Sequence, residues 1–324
     1  MNAAVYAKLA AIFITVALGW IAARRGWLGR LGGGEGGAAR VLSDTAFFLF
    51  VPALLFRTMA RIDLARMPWP TLAAYFVPVL IYLLVVYALQ RRRAHTAGPA
   101  VAATRATGAT YGNAVQLGIP MAAAVFGEAG LALHVALVSL HGLLLLTLLT
   151  VLVELDLARA RPQGSLAATV RTTARNAVIH PVVLPVLVGL LWNLAGLPLP
   201  AVLDGALVML GSAVVPVCLV LIGVSLASYG VAGHLRGAVA LSLVKLLLLP
   251  ALVWAVGRGL LGLQGTPLGV LVMMAALPVG ANALIFAQRY RTLEAEASAA
   301  IVLSTFAFAA TAPMWLALLG VPGG

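Results

Sequence analysis

Two short stretches of this chain combine helix-breaking residues with side-chain amides inside otherwise apolar sequence. The first runs Tyr111-Gly112-Asn113-Ala114-Val115-Gln116-Leu117-Gly118-Ile119-Pro120, and the second runs Ala276-Leu277-Pro278-Val279-Gly280-Ala281-Asn282-Ala283. Pro120 and Pro278 each remove a backbone donor and crowd the preceding turn, while Gly112, Gly118 and Gly280 permit backbone geometry that a larger side chain would oppose. Neither stretch reads as continuous helix. Asn113, Gln116 and Asn282 bring donors and acceptors to the backbone groups that a break sets free. Where two such breaks cross, half-helix N-termini converge, and their partial positive charge and open N–H groups suit an anion such as a carboxylate. The expected site is Gly112, Asn113, Gln116, Gly118, Pro120, Pro278, Gly280 and Asn282. The competing reading is a pair of proline kinks in packed helices. Asn113 precedes its proline and Asn282 follows its own, so the two stretches match in kind rather than as a strict repeat.

The remaining ionisable residues in apolar sequence are few. Lys245 lies five residues before Pro250, at a depth where an unpaired charge costs about 2.5–3.5 kcal/mol. It attracts an anionic substrate, replaces a coupling cation, or packs between helices. His134 and His141 stand two helical turns apart on one face, where they could relay protons or pack as hydrogen-bonded core residues. Arg105 is expected to snorkel toward the cytoplasmic interface. Asp44 alone among the acids comes near a span interior, which disfavours a cation exchanger built on paired membrane carboxylates. The single Cys218 excludes an internal disulfide and a Cys-based metal cage. Ser139 and His141 share one helix and do not form a nucleophile, base and orienter, so no catalytic residue, metal or cofactor is expected.

The elements that position these residues follow from composition. Of 324 residues, 63% are hydrophobic and 9% charged, with a net charge of +12. The mean hydropathy is +1.07. Those values exclude a soluble enzyme, a disordered chain and a nucleic-acid module, and make the lipid bilayer the solvent. Apolar runs near 4–23, 41–60, 69–89, 99–126, 130–153, 177–195, 203–227, 236–257, 267–288 and 297–319 give ten transmembrane helices, the first read as a retained span. Sorting Lys and Arg by loop puts 14 on one side and 5 on the other. The richer side is cytoplasmic and both termini face outward. The Arg-rich, Lys-poor composition fits a bacterial inner-membrane protein.

The longest loop, 154–176, divides the chain into repeats at 1–153 and 177–324. Pro52 and Pro216, and Pro120 and Pro278, recur across it at offsets of 164 and 158 residues. Five helices are an odd number, so the second repeat enters the membrane inverted. The fold class is therefore all-α integral membrane protein, two inverted five-helix repeats with broken crossing helices in the fourth and ninth positions. No phosphate-binding Gly-Lys-Thr motif occurs, so energy must come from an ion gradient, most simply protons, or from the substrate's own gradient.

At these residues the chain resembles the auxin efflux carrier family of membrane transporters, over nearly its whole length. Tyr111-Gly112-Asn113 with Leu117-Gly118-Ile119-Pro120 is the most specific match. Leu42-Ser43, Val51 to Phe56, Gly189-Leu190-Leu191, Leu197 to Pro200, Leu210-Gly211-Ser212, Pro216 to Gly223 and Ser225-Leu226 also fit, as does His180-Pro181, where the family more often has Asn-Pro. The resemblance implies a scaffold of helices 1, 2, 6 and 7, a transport domain of helices 3–5 and 8–10, elevator motion, a homodimer, and substrates of malate, malonate or auxin type. The long cytoplasmic loop of the plant exporters is missing. A ligand-gated sensor or channel, a symporter of the sodium–bile acid kind and an intramembrane enzyme are the competing functions.

Overall fold

In the computed structural model, residues 3–28, 37–61, 63, 65, 67–93, 98–160, 183–229 and 235–320 are described. The expected linker over 154–176 is described only to residue 160, and His180-Pro181 lies outside the described residues. Among the described residues there are fifteen α-helical segments: α1 Ala3–Arg24, α2 Gly37–Thr45, α3 Val51–Ala60, α4 Trp69–Arg93, α5 Val101–Thr110, α6 Ile119–His141, α7 Thr147–Arg159, α8 Val183–Leu194, α9 Ala201–Ser212, α10 Val214–Tyr229, α11 Leu235–Leu243, α12 Leu249–Trp254, α13 Gly265–Ala276, α14 Asn282–Arg289 and α15 Glu294–Leu318. No strand accompanies them among the described residues, so the all-α class holds.

Several segments join through one wide turn. Ala46–Phe50, Ala114–Gly118 and Val244–Leu248 are π-helical, and each leads into a helix whose second residue is a proline: Pro52, Pro120 and Pro250. A proline ring crowds the carbonyl four residues back and offers no N–H to it, and opening the turn by one residue relieves both. Among the described residues, six helical stretches are long and apolar enough to cross a membrane: Ala39–Ala60, Trp69–Arg93, Met121–Arg159, Ala201–Val224, Leu235–Leu260 and Glu294–Leu318. Leu184–Leu194 and Gly265–Ala276 are shorter apolar helices, and α1 runs 22 residues. The fourth and ninth of the expected runs break at their prolines and glycines, so neither is a single helix. Gly127, at φ 66°, turns the chain where the fourth run was expected to end.

Small residues set the closest packing, as lipid-embedded helices require. α1 lies along α10 through Gly19 and Gly223, where an added Cβ would strike the Val220 and Val16 carbonyl oxygens respectively. α3 lies along α8, with Gly189 against the Phe56 backbone. α4 packs on α5, α11 on α15, and α13 on α6 and α12.

Ion pairs tie helix ends together. Arg57 Nε and Arg61 Nη1 reach Asp204 at 2.7 and 2.8 Å, half in solvent. Asp156 is buried, accepts from Tyr87 Oη at 2.6 Å and pairs with Arg91 at 2.9 Å. Arg105 reaches toward the helix ends, where its Nε and Nη2 grip both oxygens of Glu296 at 2.9 and 3.0 Å. Glu296 is 4% exposed and lies against Gly237, where a Cβ would collide with its carboxylate. Breaking a buried pair costs about 3–5 kcal/mol, against about 0–1 for an exposed one. Glu296→Ala should therefore lower the melting temperature in detergent well below that of Asp204→Ala; equal melting temperatures would show that the Arg105 pair does not hold α5 to α15.

Candidate substrate site at the helix crossover

The two breaker-rich stretches meet. α5 stops at Thr110 and Tyr111 is extended, with φ −81° and ψ 114°. Asn113, at φ −76° and ψ 65°, centres an inverse γ-turn in which the Ala114 N–H donates to Gly112 O at 2.9 Å. On the other arm Pro278 drives Leu277 out of the helical region, to φ −57° and ψ 144°, and α13 ends there. The extended pieces pair antiparallel. The Asn113 N–H donates to Pro278 O at 2.8 Å and the Gly280 N–H donates to Tyr111 O at 2.9 Å, bridging Gly112 to Val279. Each break thus satisfies backbone groups of the other, as buried polar groups require.

Four side chains prop this bridge from behind and beside it. Gly112 donates its N–H to His141 Nε2 at 3.4 Å, and His134 Nε2 donates to Ala114 O at 2.8 Å. The two histidines on α6 therefore hold two points of one crossover arm. Val279 donates to Ser304 Oγ at 3.0 Å. Lys245 Nζ donates to Ala275 O at 2.6 Å, in the last turn of α13. Because the Gly112 N–H occupies the Nε2 lone pair, a neutral His141 carries its proton on Nδ1. That Nδ1 has no hydrogen-bond partner, and neither has the buried Asn113 Oδ1.

A cavity of about 850 Å³, its open mouth included, lies against the crossover. Tyr111, Gly112, Asn113, Ala114 and Val115 form one part of its wall, and Gly280, Ala281 and Asn282 another. These are the N-terminal starts of the π-turn leading into α6 and of α14, so both half-helix N-termini open on the space. Asn282 is hydrogen-bonded to the Tyr111 hydroxyl. His141 lines the cavity with its ring 4.6 Å from that of Tyr111. The opposite wall is apolar: Val51, Leu54 and Leu55 from α3, and Val214, Val215 and Cys218 from α10, with Thr58 at its edge. No charged side chain lines it among the described residues.

The expected site residues divide. Gly112, Asn113, Gly280, Asn282 and His141 line the cavity. Pro278 belongs to the bridge without lining the space, and Gly118 faces away, packed against His134 beside a small second void. Lys245 is wholly buried behind the crossover and does not line the cavity. Gln116 sits in the π-turn and Pro120 opens α6; the description of these two ends at the backbone. The α3 and α10 wall, Tyr111 and Ser304 were not among the expected residues. Pro52 and Pro216, which stand beside that wall in sequence, were the available signal. Among the described residues no cluster of three His, Cys, Asp or Glu side chains forms a metal site.

Gly280 and Gly112 differ in what a side chain would meet. A Cβ at Gly280 would stand 2.7 Å from Gly112 O, while one at Gly112 would make ordinary contacts at 3.4 Å with Leu277 Cβ and Lys245 Nζ. Overpacking against backbone costs about 1–3 kcal/mol. Gly280→Ala should therefore lower the melting temperature, whereas Gly112→Ala should stay close to the parent; the reverse order would contradict the bridge geometry.

Compared with known families, residues 4–316 match the model described as Membrane transport protein. No curated protein matches the chain. A match over almost the full length shows the family: the chain belongs to the auxin efflux carrier family of membrane transporters.

Proposed function

We propose that this protein is a secondary active carrier of small organic anions, in which the cavity at the crossover holds a carboxylate of malate, malonate or auxin type. The observation that carries the reading is the pairing of two half-helix N-termini on one side of the cavity with apolar side chains on the other. The N-termini favour negative charge without a fixed cation in contact with it. The apolar wall receives the rest of the molecule. His141, whose Nδ1–H has no partner, and Asn113, whose amide oxygen has none, both line the cavity and support this reading.

The cavity's position suggests how the substrate would cross. One wall comes from the crossover and the other from α3 and α10, helices that pack with α8 and α1. We assign α1–α3 and α8–α10 to a scaffold, and the segments α4–α7 and α11–α15 to a unit that carries the site past it in an elevator motion. This corresponds to two inverted five-helix repeats that assemble as a homodimer in a bacterial inner membrane, both termini outside. Proton coupling or uniport supplies the driving force. A sodium-coupled scheme is disfavoured by Lys245, whose Nζ already occupies the carbonyl end of α13, where a bound cation would otherwise find oxygen ligands.

Counterflow in proteoliposomes tests the assignment. Unlabelled carboxylate trapped inside should drive saturable uptake of labelled carboxylate by the parent protein. A hydrogen bond to a charged group is worth about 1.5–3 kcal/mol, so Asn113→Ala and Asn282→Ala, with melting temperatures near the parent, should weaken half-saturation by about 10- to 150-fold. Unchanged transport in both variants would remove the crossover from the substrate site, and flux that does not saturate would indicate a channel.

A further inference from the structure

Lys245 is fully buried, yet nothing in the proposed substrate contacts uses it. It sits in the π-turn Val244–Leu248, and its Nζ donates to Ala275 O at 2.6 Å. A Cβ at Gly112 would stand 3.4 Å from that Nζ, and Gly112 lines the cavity, so the Gly112 backbone stands between the amine and the substrate space. Among the described residues no carboxylate pairs with it; Glu296 is held by Arg105, Asp156 by Arg91 and Asp204 by Arg57. An ammonium without a counter-charge is costly in a dry interior, and a negative charge nearby offsets that cost. An anion entering the cavity would supply the missing charge.

We propose that Lys245 is the proton carrier of the transport cycle, a step that rests on the anion-carrier reading above. With the cavity empty the amine is neutral. When an anionic substrate enters, Nζ takes up one proton from the aqueous side and becomes an ammonium, and the loaded site is electroneutral for a monoanion. On release the proton leaves with the anion. The amine never touches the substrate, and the neutral Nζ keeps its hydrogen bond to Ala275 O in the empty carrier. Substrate and proton binding are reciprocal, so each strengthens the other by the same factor.

Other titratable and charged groups near this turn are accounted for by element. α5 brings Arg105, paired with Glu296 of α15, and α15 also carries Glu294. α11 brings Arg236. α4 brings Tyr82, its hydroxyl 3.5 Å from Val244 O, and Arg91–Arg93 in its last turn. α12 and α13 bring none. The crossover brings Tyr111, α4 also carries Tyr75 and Tyr87, and α6 brings His134 and His141, the latter close enough to interact electrostatically with Lys245. His141 is therefore the rival proton carrier.

Proton uptake on adding malonate, malate or indole-3-acetate to the purified protein, followed with an indicator dye in weak buffer, separates the two. The parent protein should take up about 0.4 to 0.85 proton per ligand bound at the centre of a window of pH, and none well below or above it. Its affinity should weaken as pH rises through that window by about 5- to 150-fold, the usual range of coupling between sites. Lys245→Met, or Lys245→Gln if the first variant does not fold, should bind without proton uptake and with a flat pH profile. His141→Gln should bind more weakly and still take up the proton. Ligand binding by the parent without proton uptake would overturn the proposal while leaving the carrier reading intact. Uptake retained in the Lys245 variants, or lost in His141→Gln, would also overturn it. No binding of any of the three acids would overturn the carrier reading, and this proposal with it.

Discussion

Two backbone hydrogen bonds, Asn113 to Pro278 and Gly280 to Tyr111, are the constraint on which the rest of the site depends. A break in a membrane helix exposes amides and carbonyls that hydrocarbon cannot satisfy. Here each break serves as the partner of the other, which requires two extended backbones at hydrogen-bond distance. That approach explains why Gly280 faces Gly112 O with no room for a Cβ, and why Pro278 stands at the entry to the second arm, where it ends α13 and leaves its own carbonyl to accept. The bridge is short, so its orientation depends on props: His134 and His141 from α6, Ser304 from α15 and Lys245 from the turn before α12.

The same geometry sorts charge. Half-helix N-termini open on the cavity, while the carbonyl end of α13 turns to Lys245 on the far side. Positive potential therefore comes to the cavity from backbone, not from an arginine or lysine in the wall. The charged pairs that the chain does contain, Arg57–Asp204, Arg91–Asp156 and Arg105–Glu296, fasten helices elsewhere. Reading the cavity as an anion site rests on this separation.

How much of this was legible in the sequence depends on the range of the interaction. Proline, glycine and asparagine inside apolar sequence conflict with continuous helix locally, so both breaks could be placed to within a few residues. The wide turns before Pro52, Pro120 and Pro250 follow from the same local clash. Partners distant in sequence were not legible. The partner of Arg105, Glu296, is 191 residues away, so the sequence showed the arginine without its ion pair. Gly118 belonged to the right motif but packs against His134, and no periodicity assigns the two glycines of that motif to different faces. The α3 and α10 wall is ordinary aliphatic sequence, and it becomes part of a site only because those helices stand opposite the crossover. The fourth and ninth apolar runs show the limit of hydropathy, because a window averages across a break and reads two half-helices as one span.

The most direct test of the central claim is a structure of the protein determined with a saturating carboxylate. The account predicts ligand density in the crossover cavity, with the carboxylate within hydrogen-bond distance of the half-helix N-termini at Asn113 and Asn282 and the remainder against Val51, Leu54 and Val214. Density instead in the polar pocket between Arg91, Asp156 and Arg159, with the crossover cavity unchanged, would contradict it.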